Sequence, residues 1–123
     1  MTLGENGYTG DYNFSSRFEE GDGTNPEELI AAALAGCFSM ALANDLAQHG
    51  HPAESIATTA KASIRQIDEM PTIARIELET EGRVDGIDEA HFIEHAEKIK
   101  QVCIISRALG GVPEIELTST KLL

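Results

Sequence analysis

The sequence predicts a single α+β domain over residues 1–123, in which an antiparallel sheet packs against a long, central, buried helix and a second helix. A chain of 123 residues is long enough for one hydrophobic core. An uncharged, alanine-rich run at residues 30–43 indicates the buried helix. Two later segments, residues 55–68 and 72–84, alternate apolar and polar side chains as paired strands do.

The first predicted element is a strand near the start of the chain. Tyr12, Phe14 and Phe18 occupy even positions there, which places them on one face of an extended segment. Arg17 falls on the opposite, polar face of the same segment. Its simplest interpretation is a solvated surface arginine, and the alternative is a cation that serves a nearby anionic site.

The long helix has clear signals at both ends. Asn25 suits the N-cap, Pro26 suits the first helical position, and Glu28 stands three residues after the cap. Gly50 is expected to end the helix. Because the helix is apolar nearly all round, we expect burial on most of its sides, and a partner chain could complete the cover that a small domain lacks.

The second half of the chain predicts two paired strands, a helix and a closing strand. Met70 and Pro71 separate the two alternating segments, which favours antiparallel pairing between them. A helix is predicted over residues 88–109, because apolar residues recur three and four positions apart. Residues 112–123 are predicted to close the sheet as its last strand.

Composition excludes several classes of partner. The formal net charge of −12 repels phosphate backbones and anionic lipid, so neither nucleic acid nor a membrane surface is expected. Two cysteines do not make a disulfide-rich scaffold. Residues 30–43 would span ~21 Å as a helix, short of the ~30 Å hydrocarbon core of a bilayer. No signal segment opens the chain, so a cytoplasmic location with reduced thiols is expected.

The two cysteines, Cys37 and Cys103, are the first candidates for chemistry. A free cysteine in an apolar segment is most simply an inert core thiol. A reactive one needs its thiolate, which apolar surroundings disfavour, and Cys37 is too far from the helix N-terminus to gain from the helix dipole. A reactive Cys37 therefore needs a cation from elsewhere, for which Arg17 is a candidate. Glu27 is an ordinary first-turn acid or the partner of that cation.

The histidines offer a weaker pattern. His91 and His95 lie four residues apart on the predicted second helix, a spacing that can hold a metal ion. Two ligands do not make a closed site, so we interpret them as exposed polar residues and predict no metal. His49 and His51 flank the helix-ending glycine, where a cationic side chain is favourable.

Three segments resemble one known family, the osmotically inducible protein C and organic hydroperoxide resistance family. GTNPEELIAAALAGCFSMAL, at residues 23–42, resembles its first-cysteine segment. VCIISRAL, at residues 102–109, resembles its second-cysteine motif. SSRFEEGDGTNPEE, at residues 15–28, resembles the segment that holds its active-site arginine. The similarity runs from about residue 5 to the end of the chain and looks closer to the osmotically inducible branch.

The resemblance implies a thiol peroxidase without cofactor that reduces organic hydroperoxides, with hydrogen peroxide as a further candidate substrate. Cys37 matches the attacking cysteine, which passes through a sulfenic acid, and Cys103 matches the resolving cysteine, which forms a disulfide with it. Arg17 matches the arginine that stabilises the thiolate, and Glu27 matches the glutamate that orients it. Family members form intertwined homodimers with interfacial active sites, and some are reduced by dithiols on lipoyl-proteins.

Within this interpretation the apolar residues around Cys37 select the substrate. We expect Leu34, Phe38 and Met40 to line the site and to favour a peroxide that carries a hydrocarbon group. Glu27 and Cys37 are ten residues apart, hence ~15 Å along a straight helix, so they cannot meet directly. The arginine–glutamate pair is therefore expected to reach Cys37 across a dimer interface, or by the arginine bridging most of the gap.

Two departures from the family pattern leave alternatives open. The residue after the second cysteine is Ile104 where relatives carry proline, so the helix is free to run on past Cys103. The N-terminal strand region is shorter than in relatives. One alternative function is a non-catalytic binding dimer that holds a small apolar ligand at its interface. Another is a metal-binding or redox-sensing module that combines the cysteines with His91 or His95.

Overall fold

The computed structural model describes residues 1–5, 7–18 and 23–123, without the side chain of Phe18. Helices and strands are mixed along the chain, so the predicted α+β class is confirmed. In chain order the elements are α1 (Ser15–Phe18), α2 (Pro26–Gln48), β1 (Ala53–Ile67), β2 (Met70–Val84), α3 (Glu89–Val102), α4 (Ile104–Ala108) and β3 (Glu114–Leu122).

The described sheet has the strand order β1-β2-β3. β1 and β2 form the predicted antiparallel hairpin, joined at Asp68 and Glu69, whose φ angles of 50° and 64° suit a tight two-residue turn. β3 pairs with β2 in parallel, so the prediction of an entirely antiparallel sheet is wrong for this strand. The reason is the connection: α3 and α4 carry the chain back before β3 begins, as a parallel pairing requires.

α2 begins and ends where local signals predicted. The Oδ1 atom of Asn25 accepts a hydrogen bond from the Glu28 backbone N–H at 2.9 Å, and Pro26 is the first helical residue. After the C-cap at His49, Gly50 adopts a φ of 85°, which a glycine takes without strain. The N-cap residue Asn25 is itself buried, so the start of α2 is fixed to the body of the protein.

One face of α2 forms the core with the sheet. Leu34, Phe38 and Leu42 have no exposed surface and join Ile76 and Leu78 of β2 in one apolar cluster. The expectation that α2 is buried on most sides is wrong, because Ala33, Gly36 and Met40 on its outer side are exposed. A single sheet can cover only one side of a helix, so the outer side stays open in one chain.

A row of small residues lets α2 approach the hairpin closely. Ala31 and Ala35 are buried, and Ser39 of the same row donates a hydrogen bond from Oγ to Thr58 Oγ1 at 2.7 Å. Thr58 in turn bonds Thr80 of β2 at 2.9 Å. The row of small residues on the helix is thus covered by β1, with a partly buried chain of hydroxyl groups across the contact.

By length and composition, α2 is long and apolar enough to cross a membrane, but the core helix of a soluble protein passes the same test.

α2 also makes a charged contact with α3. Near its end, Asp45 is buried and accepts hydrogen bonds from Lys98 Nζ at 2.6 Å and His95 Nδ1 at 2.5 Å. Burial acts to raise the pKa of Asp45, but these hydrogen bonds and charges outweigh it and hold the pKa below its usual value.

The N-terminal segment is not the predicted strand. Tyr12 makes only an isolated bridge to Thr24, and the chain then forms the single turn α1. Asn13 explains the difference, because its Oδ1 accepts hydrogen bonds from the Ser16 backbone N–H at 2.7 Å and from Ser15 Oγ at 3.1 Å. Such local side-chain bonds favour a helical turn over an extended strand.

Asn25 also joins α1 to α2, which gives the first testable prediction. Its Nδ2 donates to the carbonyl and to the hydroxyl of Ser16, both at 3.1 Å, in addition to its capping bond. Asn25→Ala is therefore expected to lower the free energy of unfolding by about 1–2 kcal/mol, measured by urea denaturation. Asp88→Ala, at the exposed N-cap of α3, is the matched control and should cost less. Equal losses in the two variants would show that the bonds to Ser16 contribute nothing.

Candidate functional site

The predicted second helix is interrupted at the second cysteine. α3 ends at Val102, Cys103 is extended with φ −64° and ψ 149°, and α4 starts at Ile104. The prediction of one helix over residues 88–109 is therefore wrong, and the helix does not run on past Cys103. Cys103 stands at the N-terminal end of α4, although the residue after it is Ile104 and not proline.

Side chains of α4 explain why the helix ends without proline. The last carbonyls of a helix lack partners within the helix and must find them elsewhere. The hydroxyl of Ser106 donates to the Lys100 carbonyl, and Arg107 Nε donates to the Val102 carbonyl at 3.3 Å. The break at Cys103 thus rests on residues that follow it.

Cys37 and Cys103 meet at one apolar cavity of about 650 Å³. Cys37 lies on the outer side of α2 and is half-buried, whereas Cys103 is 3% exposed. Both are free thiols that line the same cavity, and Cys37 is close enough to Cys103 to raise its pKa. The other residues that line the cavity are small or aliphatic: Ala33, Gly36, Met40, Ala41, Val102, Ile104 and Ile105.

The two thiols differ in their surroundings. Burial raises the pKa of Cys103, the Cys37 side chain raises it further, and the backbone N–H groups of Ser106 and Ile105 only partly oppose them. The result is a pKa above the ordinary thiol value. Cys103 therefore stays protonated at neutral pH, while Cys37 is the more exposed of the two thiols at the cavity.

Arg17 and Glu27 form the ion pair that the family resemblance implied. Arg17, in α1, donates from Nε to Glu27 Oε2 at 2.8 Å, and both side chains are mostly buried. The guanidinium also lies over the Phe14 ring, 5.9 Å from its centroid. The pair lines a separate cavity of about 390 Å³ together with Asn25 and Lys61.

The ion pair and the thiol pair occupy different cavities of one chain. α2 is a continuous helix from Pro26 to Gln48, so Glu27 and Cys37 are ~15 Å apart along it. Among the described residues, no hydrogen bond or ion pair joins Arg17 or Glu27 to Cys37. The sequence-based expectation that Glu27 and Cys37 do not meet within one chain is consistent with this geometry.

The predicted lining of the site needs a correction. Met40 lines the cavity and is exposed, as a contact for an entering molecule requires. Leu34 and Phe38 do not line it, because they belong to the sheet-facing side of α2 and are wholly buried in the core. On the outer side of α2 the positions four residues before and after Cys37 are Ala33 and Ala41, and both line the cavity.

The histidines of α3 also depart from the metal pattern considered above. His91 binds the exposed carboxylate of Asp88, with Nδ1 2.7 Å from Oδ1. His95 instead contacts the buried Asp45 of α2. The two imidazoles therefore have different partners, and neither lines the cavity that holds the cysteines.

Comparison with known proteins points to one family. The family model described as OsmC-like protein matches residues 19–118. Peroxiredoxin OsmC of Escherichia coli (strain K12) is 46% identical over 98 residues, which cover 80% of this chain and 68% of that protein. An organic hydroperoxide resistance protein of Xanthomonas axonopodis pv. citri (strain 306) is 35% identical over 101 residues, with the same coverage of 80% and 68%.

Solved structures agree with the sequence comparisons. An organic hydroperoxide resistance protein from Elizabethkingia anophelis, with thiocyanate bound, has a TM-score of 0.63 and 31% identity over 81% of this chain and 69% of its own. An OsmC-like protein from Mycoplasma pneumoniae has a TM-score of 0.68 at 20% identity, over 84% of this chain and 75% of its own, and shows the likeness of fold alone. With its family match, its relatives and its fold in agreement, the chain belongs to the OsmC-like protein family.

Proposed function

We propose that the chain is a cysteine-based peroxidase that reduces organic hydroperoxides to alcohols, with a dithiol as the final reductant. The observation that carries the proposal is the placement of two free thiols, Cys37 and Cys103, side by side at one apolar cavity. The relatives named as a peroxiredoxin and as an organic hydroperoxide resistance protein support the same chemistry. The proposed reaction needs no cofactor, because the sulfur itself accepts the peroxide oxygen.

The proposed reaction starts at Cys37. Its thiolate attacks the distal peroxide oxygen, so that a sulfur–oxygen bond forms while the oxygen–oxygen bond breaks. The leaving alkoxide takes a proton and departs as an alcohol, which leaves Cys37 as a sulfenic acid. The Cys103 thiol then condenses with that acid, releases water and forms a disulfide. A dithiol, for example a dihydrolipoyl group on a protein, restores both thiols by two exchange steps and becomes a disulfide itself.

The two positions suit these two roles. Of the two residues at the cavity, the half-buried Cys37 is more accessible to a peroxide than Cys103, which is almost wholly buried. Because Cys103 keeps its proton at neutral pH, it does not compete as a nucleophile, and it stands within reach of Cys37 once that residue is oxidised. The apolar lining around Met40 and Ile104 favours the hydrocarbon end of an organic hydroperoxide over a small polar peroxide.

The proposal includes a homodimer in which the Arg17–Glu27 pair of one protomer serves Cys37 of its partner. Within one chain this pair lies in another cavity, so a second chain is the direct way to bring a guanidinium to the thiolate. The exposed apolar side of α2 supports the association, because Met40 is 76% exposed and Ile104 is 69% exposed at the mouth of the thiol cavity. The guanidinium would supply the positive charge that a mid-helix cysteine otherwise lacks.

A binding function without catalysis is the second candidate. An apolar cavity of about 650 Å³ is large enough for a small ligand, whether or not the thiols react. The two functions differ in one measurable outcome, because only the peroxidase converts a hydroperoxide to its alcohol and consumes thiols as it does so.

Cysteine variants test the assignment of the two thiols. Cys37→Ser is expected to abolish reduction of cumene hydroperoxide in the presence of dihydrolipoamide, because the attacking sulfur is gone. Cys103→Ser is expected to keep an initial burst of one alcohol per chain and to lose most of the steady-state rate, because no disulfide can form. Alcohol is quantified by chromatography against time. Absence of alcohol with the unmodified protein would favour the binding function, and turnover by Cys37→Ser would contradict the mechanism.

Arginine variants test the source of positive charge. Arg17→Met is expected to slow the first oxidation of Cys37 by about 10²-fold, the usual scale for removing one preorganised donor to a developing anion. Arg17→Lys should recover only part of this loss, since lysine keeps the charge but lacks the fork that binds Glu27. Rates are measured by stopped-flow with cumene hydroperoxide. Arg65→Met, at an exposed arginine of β1, is the control, and equal rates for it and Arg17→Met would exclude the assigned role.

Alkylation tests the difference in protonation. Because the pKa of Cys103 lies above the ordinary thiol value of 9.0, its reaction with iodoacetamide should be slow at neutral pH and should still rise above pH 9.0. In Cys37→Ser the increase in the labelling rate of Cys103 should occur at lower pH. Cys37 then no longer raises the pKa of Cys103, whereas burial still does. The label on Cys103 is followed by mass spectrometry of its peptide. Complete labelling of Cys103 near neutral pH in the folded protein would contradict the assignment.

A further inference from the structure

A second cluster of potential ligands lies away from the thiols, where the end of α2 meets α3. Asp45 is at its centre, and its two carboxylate oxygens accept separate hydrogen bonds, Oδ2 from His95 Nδ1 and Oδ1 from Lys98 Nζ. His49, the C-cap of α2, donates from Nδ1 to the Asp45 carbonyl at 2.8 Å, and the same nitrogen is 3.7 Å from Asp45 Oδ1. Two imidazoles and one carboxylate therefore converge on one point.

The spacing of these groups suits a metal ion. One ligand atom from each of Asp45, His49 and His95 lies within 4.8 Å of the other two. Zinc holds nitrogen and oxygen ligands at ~2.0–2.2 Å, so two ligands of one ion stand ~3–4 Å apart. The imidazole rings of His49 and His95 are 5.0 Å apart and meet edge to face, so they do not block each other's nitrogens by stacking. A modest closing movement would bring all three atoms to bonding distance.

His49 is the residue of the cluster whose side chain would make that movement. The side chain of His49 is 53% exposed at the end of α2, so its ring can turn toward an ion once its hydrogen bond to the Asp45 carbonyl is broken. The His95 and Asp45 side chains are only 17% and 12% exposed and are held by their mutual contact. The cluster thus combines two fixed ligands with one adjustable ligand on the solvent side.

We propose that Asp45, His49 and His95 form a binding site for a divalent transition-metal ion of the zinc class, with Lys98 as its competitor for the carboxylate. Two imidazole nitrogens and one carboxylate oxygen are the donors that such ions prefer, whereas calcium and magnesium prefer sites made of oxygen. Three protein ligands leave a position for water on the exposed side. The ion must displace the Lys98 ammonium, which holds Oδ1 at 2.6 Å, so occupancy would depend on ion concentration.

The proposed site is distinct from the thiol site. Asp45 and Cys37 are eight residues apart on α2, hence ~12 Å along the helix. A bound ion would fasten the last turn of α2 to α3 and so would stabilise the contact that also places Cys103 beside Cys37. Its expected effect is on the stability of the folded protein, since a ligand that binds only the folded state raises the unfolding temperature.

The test uses the chain of residues 1–123 with both cysteines replaced by serine, because neighbouring thiols would bind zinc themselves. Co²⁺ is titrated with visible absorption as readout, and Zn²⁺ is titrated by calorimetry. Saturable one-to-one binding is expected, with nitrogen-ligated Co²⁺ in the spectrum and a higher unfolding temperature with Zn²⁺. Absence of saturation by about 1 mM of either ion would overturn the proposal.

Histidine and lysine variants in the same background locate the site. His49→Gln and His95→Gln are each expected to weaken binding by about tenfold or more. His51→Gln and His91→Gln are the matched controls, since the chain has four histidines and these two lie outside the cluster. Lys98→Met is expected to tighten binding by removing the competing cation. Equal weakening by a control histidine variant, or weaker binding in Lys98→Met, would overturn the assignment. Because His49 is exposed, its replacement is expected to leave the fold intact.

Discussion

The contact between α2 and α3 is the constraint on which both sites depend. Cys37 and Cys103, the residue that directly follows α3, line one cavity at one end of this contact, and Asp45 meets His95 at the other. The partners are eight residues apart in each segment, from 37 to 45 and from 95 to 103, and their order is reversed. The two helices therefore run antiparallel, with two pairs of reactive side chains ~12 Å apart along their contact. Any change that shifts one helix along the other would disturb both pairs together.

α2 has two sides with different tasks. Its sheet-facing side supplies Leu34, Phe38 and Leu42 to the core, where packing fixes the helix in position. Its outer side carries Cys37 and Met40 at an open apolar cavity. A thiol in the core could not meet a peroxide, and a thiol on a polar surface would not select a hydrocarbon-bearing one. The uncharged stretch of the sequence therefore serves both the stability of the fold and the chemistry proposed for the site.

Local signals were predictable from the sequence, and tertiary contacts were not. Asn25 gave the start of α2 because a cap acts within one turn, and strand alternation gave the β1–β2 hairpin. The same local reasoning failed where one side chain redirects the backbone, as Asn13 does before α1. The inner and outer sides of α2 could not be told apart, because an apolar helix has no polar stripe to mark them. Asp45 and His95 are 50 residues apart, so no spacing rule brings them together.

Peptide mapping of the chain after one equivalent of cumene hydroperoxide, without reductant, tests the central claim most directly. Because Cys37 and Cys103 are neighbouring free thiols, the proposed mechanism predicts a single disulfide between them within one chain and one molecule of alcohol released. Sulfinic acid on Cys37 with Cys103 still free, or a disulfide that links two chains, would contradict it. So would recovery of both thiols unchanged alongside intact hydroperoxide.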